Sequence, residues 1–304
     1  MAEIRPVDDD VELAVAVELA NAVAPEHALT LDERRQILAQ LPRHRTFVAY
    51  EDGTPLGTSS GFFHPGSAHP ACRNLVLPEA RRRGLGSALY GAISDWAAAE
   101  GATLLETRAD EEDPAGIEFA LHRGFREISR EIKAILELEG IEPPAVPPPE
   151  GVEIVPWSER PELARGLYDV YAEATPDIPG NEEQVESYDD WLALHMHGPG
   201  DRADATFVAV AGDEAVGFAK LSLTEAQPEV AYHDLTGVKR AWRGRGVARA
   251  LKARQIAWAK HAGYKRLATG NEERNAPIRR LNERFGYRPG PAEILFRGPL
   301  SGAT

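Results

Sequence analysis

The sequence contains the same block twice, and this repeat limits the possible folds more than any other feature. Matching residues recur at an offset of 162, the separation of Gly84 and Gly246. The other pairs are Val76 and Val238, Arg81 and Arg243, Arg83 and Arg245, Leu89 and Leu251, Trp96 and Trp258, Gly101 and Gly263, and Gly124-Phe125 and Gly286-Tyr287. Because this period is that of a domain and not of a solenoid, the sequence predicts two copies of one fold.

Proline marks the boundary between the two copies. Five prolines lie within residues 139–151, and such a composition favours an extended, semi-rigid linker. We therefore predict an N-terminal domain at 1–138 and a C-terminal domain at 152–304, which suits a chain of 304 residues.

Apolar periodicity and turn residues predict alternating strands and helices in both copies. In the first copy, strands are expected at 3–7, 46–50, 56–63, 69–77, 104–107 and 125–138, and helices at 9–22, 31–41, 85–100 and 117–123. In the second, strands are expected at 152–156, up to Val238 and at 265–269, and helices at 161–171, at 247–261 and from Asn275 to Arg284. Asp8 or Asp9 and Thr30 are the expected helix caps.

Each copy carries a turn rich in glycine and arginine between a strand and a helix. In the second copy the turn is residues 243–246, and Arg249 and Lys252 add positive charge nearby. Glycine allows close approach of the backbone to a ligand, and a helix start offers unpaired N–H groups, so we predict a site for a multiply charged anion. The turn lacks both the G-x-x-x-x-G-K-[ST] and the G-x-G-x-x-G spacing of nucleotide loops.

The order of residues over 230–287 resembles the GNAT superfamily of N-acetyltransferases. The spacing Arg243-x-x-Gly246-x-Ala248 is similar to the pyrophosphate loop [Q/R]-x-x-G-x-[G/A] of that family. A second strand, the helix that opens at Asn275 and the Gly286-Tyr287 turn follow in the family's order. The resemblance covers most of both halves and implies an α/β fold of two tandem GNAT (acyl-CoA N-acyltransferase) domains, each a mixed, partly antiparallel sheet flanked by helices.

The resemblance also implies acetyl-CoA as co-substrate, no metal, and direct transfer of the acetyl group to an amine. The pyrophosphate is expected at residues 244–249, with the pantetheine arm along the preceding strand and a backbone N–H near Val238 polarising the thioester. The implied acyl-CoA contacts in the second copy are Thr236, Val238, Arg243, Gly244, Arg245, Gly246, Val247, Ala248, Arg249 and Asn275. Those in the first copy are Val76, Arg81, Arg83, Gly84, Gly86 and Ser87.

The two copies are predicted to differ in activity. The family places an asparagine at the start of the closing helix to contact the cofactor; Asn275 matches that position, whereas the first copy has Asp113. A carboxylate is a poor neighbour for phosphates. We therefore expect the C-terminal copy to be catalytic and the N-terminal copy to be degenerate, either binding CoA without turnover or serving as a scaffold.

The catalytic groups are less clearly marked than the loop. Many family members have a tyrosine as general acid four residues before the closing glycine, where this chain has Asn282, and Ala120 in the first copy. Asn282 can donate a hydrogen bond but no proton. For the base we favour Asp234 over His233 and Glu229, with a structural ion pair as the alternative role of Asp234. Neighbouring residues of a strand alternate, so His233 and Asp234 are expected on opposite faces.

Composition restricts the partners. The net charge of −14 argues against nucleic acid and suits a cationic amine, although it also suits a simply solvated surface. The single cysteine, Cys72, fits a reducing compartment and is expected to be a buried apolar residue. The N-terminus has no basic leader and no apolar run is long enough to span a membrane, so a cytoplasmic protein without a membrane partner is expected. A metal at His195 and His197 is disfavoured for lack of a third ligand.

Several alternatives remain open at this point. The chain could bind or sense acyl-CoA without catalysis, acetylate a protein amine, or use its glycine-rich turns for ATP or NAD. Residues 173–197 are the candidate segment for acceptor selection, but they do not identify the small-molecule amine, and the oligomeric state is unknown.

Overall fold

The computed structural model of the chain describes residues 3–179 and 185–302. The α-helices are α1 (Asp10–Val23), α2 (Leu31–Gln40), α3 (Leu85–Ala99), α4 (Pro114–Leu121), α5 (Ala164–Ala174), α6 (Tyr188–Met196), α7 (Val247–His261) and α8 (Ala276–Arg284). The strands are β1 (Glu3–Pro6), β2 (His44–Glu51), β3 (Thr54–Phe62), β4 (Ala71–Val76), β5 (Leu104–Asp110), β6 (Arg126–Glu137), β7 (Glu153–Pro156), β8 (Asp201–Ala211), β9 (Glu214–Ser222), β10 (Val230–Val238), β11 (Arg266–Glu272) and β12 (Arg288–Pro299).

The local signals of the sequence act as predicted. Asp9 caps α1 by accepting from the N–H of Glu12, and Thr30 forms a capping box with Glu33 at the start of α2. Gly101 follows α3 with φ of +87°, the left-handed conformation in which a C′ glycine ends a helix. No regular helix or strand lies in residues 139–151, the proline-rich segment. Within the described residues, no helix combines the length and apolarity needed to cross a membrane.

The chain forms two compact units, residues 3–130 with 292–302 and residues 131–291 without the undescribed stretch 180–184. In the first unit the strand order is β1-β2-β3-β4-β5-β12, and in the second it is β7-β8-β9-β10-β11-β6. Within each unit the described strand pairs are antiparallel, except for β4 with β5 and β10 with β11, which are parallel. The predicted fold, two mixed and partly antiparallel sheets flanked by helices, is confirmed.

The sixth strand of each unit comes from the other half of the sequence. Residues 131–137 of β6 pair with β11, from Glu131 opposite Glu272 to Glu137 opposite Arg266. Residues 293–299 of β12 pair with β5. The compact units therefore differ from the domain limits of 1–138 and 152–304 drawn from the sequence, because strand pairing and not chain order decides which sheet a strand completes.

Helices cover both faces of the sheet in the second unit. Alternate residues of β8 point to opposite faces, so Phe207 and Ala209 pack with α7 while Val208 and Val210 pack with α5. The first unit has the same layering, with Ala49 against α3 and Val48 against α1. Cys72 is a buried thiol whose pKa burial raises to about 12, as expected of an unreactive core residue.

Glu293 ties the late strand β12 into the first unit. Its carboxylate accepts hydrogen bonds from Arg73 (2.8 Å), His27 (3.2 Å) and Arg108 (3.4 Å), and the residue is 9% exposed. Burial raises the pKa of Glu293, but His27 and the two arginines outweigh that effect and hold the pKa at about 2. The carboxylate therefore stabilises the fold above the unfolded pKa of about 4.3.

We expect Glu293→Gln to lower the free energy of unfolding of the first unit by about 2–4 kcal/mol at neutral pH, because Arg73 and Arg108 lose their shared anion. The depressed pKa means that this contribution disappears as the pH falls from about 4 to 2, so the variant and the parent should converge there. Urea unfolding at several pH values measures both effects. Glu3→Gln, which removes an exposed ion pair with Arg5, is the control and should change little. Equal unfolding midpoints at pH 7 for the parent and Glu293→Gln would contradict a stabilising role for the Glu293 carboxylate.

Candidate functional site

Each unit has a cleft where its two parallel strands separate. In the second unit β10 pairs with β11 over four residues, from Val230 opposite Arg266 to His233 opposite Thr269. Beyond His233, β10 continues to Val238 and pairs only with β9. The N–H of Lys239 donates to Val216, so by alternation the N–H groups of Thr236 and Val238 point away from β9 and into the cleft. These two residues therefore present N–H groups that are not used in the pairing of β10 with β9 or β11.

A β-bulge distinguishes the second cleft from the first. Between His233 and Thr236, β10 advances three residues while β9 advances two, from Leu221 to Ala219. In the first unit β4 and β3 stay in continuous register from Phe62 to Gly57. A bulge re-aims side chains beside functional sites. Here it leaves His233 buried and the neighbouring Asp234 exposed, in agreement with the expectation that the two face opposite ways.

The turn between β10 and α7 has the geometry of an anion cradle. Gly244 and Gly246 have φ of +74° and +93°, and a Cβ built on either would meet nothing within 4 Å. The turn is exposed and leads directly into the N-terminus of α7, where backbone N–H groups have no partner in the helix. A phosphate group fits this open, donor-rich backbone. Val247 is buried below the turn, whereas Arg249 is exposed on the first turn of the helix.

The corresponding turn of the first unit has the same backbone shape under more strain. Gly84 has φ of +88° and matches Gly246, but Arg82, with φ of +66°, stands where the second unit has Gly244. A side chain in this left-handed region costs about 1–2 kcal/mol. A Cβ on Gly86 would approach the ring of Phe119 to 3.1 Å, and Ser87 accepts a hydrogen bond of 2.6 Å from Arg123.

The matched arginines support the ends of the strands. Arg243 donates from Nε to the carbonyl of Val238 (3.0 Å), and Arg81 does the same to Val76 (3.3 Å). Their remaining donors differ: Arg243 binds Asp177 (2.7 Å), which also accepts two bonds from Arg240. Hydrogen bonds from Arg240 and Arg243 lower the pKa of Asp177 to about 2. Among the other predicted contacts, Arg245 lies over the ring of Trp242, and Arg83 pairs with Glu51.

In the first unit an ion pair closes the open end of the cleft. Arg81 follows β4, Asp113 follows β5 as the N-cap of α4, and Arg81 Nη1 lies 3.1 Å from Asp113 Oδ1. The pair therefore joins the two diverging strand ends. In the second unit Asn275 occupies the matching N-cap, its side chain forms no cap hydrogen bond, and Arg243 is turned towards Asp177 instead. The second cleft is thus the one left open at this end.

Asp234 lies at the bulge beside a buried lysine. Lys220 Nζ is 2.8 Å from Asp234 Oδ2 and 2.7 Å from Asp201 Oδ1, and it also donates to the carbonyl of His195. Ser222 donates to the same Asp234 oxygen (3.2 Å), so the contacts with Lys220 and Ser222 both use Oδ2. Desolvation raises the pKa of Asp234, but Lys220 outweighs it and the pKa lies below its ordinary value. Asp234 is about two-fifths exposed and carries its charge at neutral pH.

A second carboxylate, Glu186, stands at the wall made by α5 and α6. It accepts a hydrogen bond from the hydroxyl of Tyr171 and lies 3.5 Å from His195 Nε2. Burial raises the pKa of Glu186, but the nearby His195 and the hydrogen bond from Tyr171 bring it to about 2. Glu186, His195 and α6 belong to residues 173–197, the segment expected to select the acceptor, of which 180–184 lie outside the described residues. His197, the other residue of the His-x-His pattern, stacks on Trp157.

Asn282 belongs to a buried polar network and not to an exposed catalytic surface. It is 3% exposed, accepts a hydrogen bond of 2.6 Å from Lys252 Nζ and donates one of 2.6 Å to Asn271. Lys252, which the sequence placed among the charges around the turn, is 1% exposed and points into the core. The sequence prediction was wrong about its position because the helical period puts residue 252 on the face of α7 that packs on the sheet.

Three functional candidates were missed from the sequence: Lys220, Glu186 and Asp177. Lys220 had a usable signal, since it interrupts the apolar run at residues 215–221, and a lysine within such a run is rarely buried unless it is paired. Glu186 and Asp177 lie in a charged, irregular segment where no pattern separates a site residue from a solvated one.

Comparison with known proteins gives consistent matches. The model of the acetyltransferase (GNAT) family matches residues 14–125 and again residues 165–287. An aminoglycoside N(6')-acetyltransferase type 1 from Stenotrophomonas maltophilia is 33% identical over 108 residues, covering 33% of this chain and 70% of that protein. A tandem GNAT protein from the clavulanic acid biosynthesis pathway, solved without AcCoA, superposes with a TM-score of 0.79 at 20% identity over 100% of both chains. A GCN5-related N-acetyltransferase from Sphaerobacter thermophilus gives 0.76 at 18% identity, over 100% of this chain and 97% of that one.

We expect Lys220→Met to destabilise the second unit by about 3–5 kcal/mol at neutral pH, because Asp201 would remain buried without its counter-charge. Desolvation already raises the pKa of Asp201, and losing Lys220 raises it further. Protonation then relieves the cost, so the destabilisation should shrink as the pH falls. Urea unfolding between pH 4 and 8 tests this. Lys265→Met, which breaks an exposed pair with Glu229, is the control. A loss that does not vary with pH would contradict this account of Asp201.

Proposed function

Because the chain belongs to the acetyltransferase (GNAT) family, we propose that its second unit transfers the acetyl group of acetyl-CoA to a primary amine of a small molecule. One observation carries the choice of unit: within residues 3–179 and 185–302, the second cleft has a bulged strand, glycine at both positive-φ positions of its turn and no ion pair between the ends of its parallel strands, and the first cleft has none of these three features. In the first unit, Arg82 and the Arg81–Asp113 pair occupy these positions, and this supports a scaffold role.

The proposed cofactor contacts use backbone donors more than arginine side chains. The amides at residues 244–249 would hold the pyrophosphate, and the inward N–H groups of Thr236 and Val238 would hold the pantetheine arm as an added strand. Arg245 and Arg249 remain the exposed cations near the turn, while Arg243 is engaged with Val238 and Asp177. Acetyl-CoA supplies an acetyl group already activated as a thioester. The N–H of Val238 would polarise its carbonyl.

The acceptor end of the cleft suits a cation. Asp234 offers a partly exposed carboxylate, and Glu186 adds a second negative charge in the wall beside it. An ammonium group, with an ordinary pKa of about 8–10, would bind Asp234 before losing its proton. Because Lys220 keeps the pKa of Asp234 low, this carboxylate orients the amine and passes the proton on to water without retaining it. The acetyltransferase relative named for aminoglycosides supports a small, amine-bearing acceptor.

Calorimetric titration with acetyl-CoA tests the cofactor assignment. We expect one binding site per chain, lost in Gly246→Glu, because a carboxylate side chain would stand where the phosphates bind. Gly84→Glu is a matched control, since Gly84 has nearly the same positive φ at the start of the corresponding helix in the other unit. It should leave the single site intact. Normal binding by Gly246→Glu would refute the loop assignment, and two sites in the parent would contradict the scaffold role of the first unit.

Release of free CoA thiol tests the reaction. Acetyl-CoA would be mixed with a panel of aminoglycosides, short diamines and a lysine-containing peptide, and the first two classes are expected to support turnover. Asp234→Asn should lower kcat/KM for a responsive amine by about 10- to 100-fold while leaving acetyl-CoA affinity nearly unchanged. A large loss of acetyl-CoA binding in this variant would show that Asp234 is structural. Turnover with the peptide alone would favour a protein acceptor, and no thiol release with any amine would favour a sensing role.

A further inference from the structure

The second cleft opens between Asp234 and Gly270, the first residues beyond the parallel pairing of β10 with β11. That pairing ends at His233 opposite Thr269. His233 bonds Gln255 of α7, so its side chain lies on the face of the sheet that α7 covers. Successive residues of a strand point to opposite faces, so Asp234 and Gly270 belong to the other face. We refer to these two residues, on this face, as the opening.

A glutamate from the first half of the sequence lies across the opening. Glu131 of β6 is opposite Glu272 of β11 in the antiparallel register, and Glu272 pairs with Arg274 (2.6 Å). Gly270 has no side chain, and a Cβ built on it would lie 2.6 Å from Cδ of Glu131. The carboxyl group of Glu131 therefore covers Gly270 itself, on the face away from α7. Together with Asp234, it brings two carboxylates to the same face of the opening.

The lysines near the opening are fewer than the carboxylates. Lys220 is shared by Asp234 (2.8 Å) and Asp201 (2.7 Å). Lys133 lies two residues beyond Glu131 and therefore on the same face of β6. When Lys133 is counted against Glu131, these three carboxylates still exceed the two lysines by one negative charge. A cation bound at the opening would offset that charge.

The first unit has a glutamate at the same place, but there the chain supplies its cations. Glu293 matches Glu131 both at the offset of 162 and in its register with the neighbouring strand. The parallel pairing of β4 with β5 ends one residue before Arg73 and one residue before Arg108. Both arginines contact Glu293, at 2.8 and 3.4 Å. Two guanidinium groups therefore neutralise the glutamate at the opening of the first cleft.

The second unit keeps the glutamate and lacks both arginines. In strand register, Asp234 occupies the position of Arg73, and Gly270 occupies the position of Arg108. One cation is thus replaced by an anion and the other by the absence of a side chain. A ligand that carries two cationic nitrogen atoms would supply the charges that the arginines provide in the first unit.

We propose that Glu131 binds a second ammonium group of the acceptor, so that the acceptor of the second unit is a small molecule with two amino groups. This inference rests on the proposed function, in which Asp234 binds the amine that reacts. Neighbouring strands are about 4.8 Å apart, so the two carboxylates suit ammonium groups on the order of 5–10 Å from each other. Glu186 is less suited to this role, because Tyr171 and His195 already engage its two oxygens. Glu131 is a specificity-determining residue, since it contacts the acceptor and not the reacting atoms.

The test compares diaminobutane with aminobutanol, which has a hydroxyl group in place of one amino group. CoA thiol release gives kcat and KM for each. In the parent, kcat/KM should be about 10- to 100-fold higher for the diamine, because a hydrogen bond between two charged groups is replaced by one to a neutral group. Glu131→Gln should remove most of this preference by raising KM for the diamine about tenfold or more. Its kinetics with aminobutanol and its affinity for acetyl-CoA should stay nearly unchanged, which a general structural defect would not allow.

Glu137→Gln is the matched control. It is the same substitution on the same face of the same strand, but Glu137 lies opposite Arg266, at the end of β11 remote from Gly270. Because Glu137 lies away from the opening, the diamine preference of this variant should equal that of the parent. A loss of preference in both variants would mean that the total negative charge, and not Glu131, selects the diamine, and would overturn the proposal.

Gly270→Ala tests the position of the carboxylate without changing any charge. The new Cβ would displace the carboxyl group of Glu131, which is the flexible end of a side chain, so the strand can accept the substitution. The diamine preference should fall here too, even if Glu131→Gln fails to fold. Equal kcat/KM for diaminobutane and aminobutanol in the parent, or an undiminished preference in either variant, would overturn the proposal. Absence of thiol release with every amine would instead overturn the proposed function on which it rests.

Discussion

The four-residue length of the parallel pairing between β10 and β11 controls the rest of the site. If β10 and β11 remained paired, their backbone N–H and C=O groups would form hydrogen bonds with each other, as those of β9 and β10 do. Because pairing ends at His233 and Thr269, the N–H groups of Thr236 and Val238 are left without a strand partner. Unpaired backbone donors inside a fold are costly, so the cleft favours any ligand able to accept their hydrogen bonds. The glycine turn and α7 then add donors at the open end, which makes one continuous surface for an extended, anionic cofactor.

The two units show how one backbone frame can be kept while its chemistry changes. Both have the separated strands, the left-handed residues of the turn and an arginine bonded to the end of the strand. They differ in what fills the frame. The first unit has an apolar cluster and an ion pair between its diverging strand ends, while the second has a bulge in β10 and a partly exposed carboxylate, Asp234, paired with the buried Lys220. These differences are the observations on which the proposed division between a stabilising copy and a working copy rests.

Features that depend on residues close together in the sequence could be predicted, whereas features that depend on residues far apart in the sequence could not. The bounds of α7, residues 247–261, were predicted without error because an apolar stripe and flanking glycines are local signals. The glycine turn was recognised for the same reason. The pairing of Arg243 with Asp177 could not be foreseen, since the two are 66 residues apart and both lie among other charges. The bulge at Asp234 was also invisible, because it depends on the register of β10 against β9 and not on the residues of β10 alone.

The exchanged sixth strands give a physical reason for keeping the first copy. The strand that follows α4 in the sequence completes the sheet of the second unit, where residues 131–137 lie along β11 and cover its outer edge. In return, β12 covers β5 of the first unit, and Glu293 fixes it there. A sheet edge left bare is prone to pair with other chains. Neither half of the sequence therefore contains all the strands of one unit, and loss of the first copy would remove a strand from the second. If the first unit has no reaction of its own, as the proposed function holds, the strand that it supplies is a physical reason to retain it.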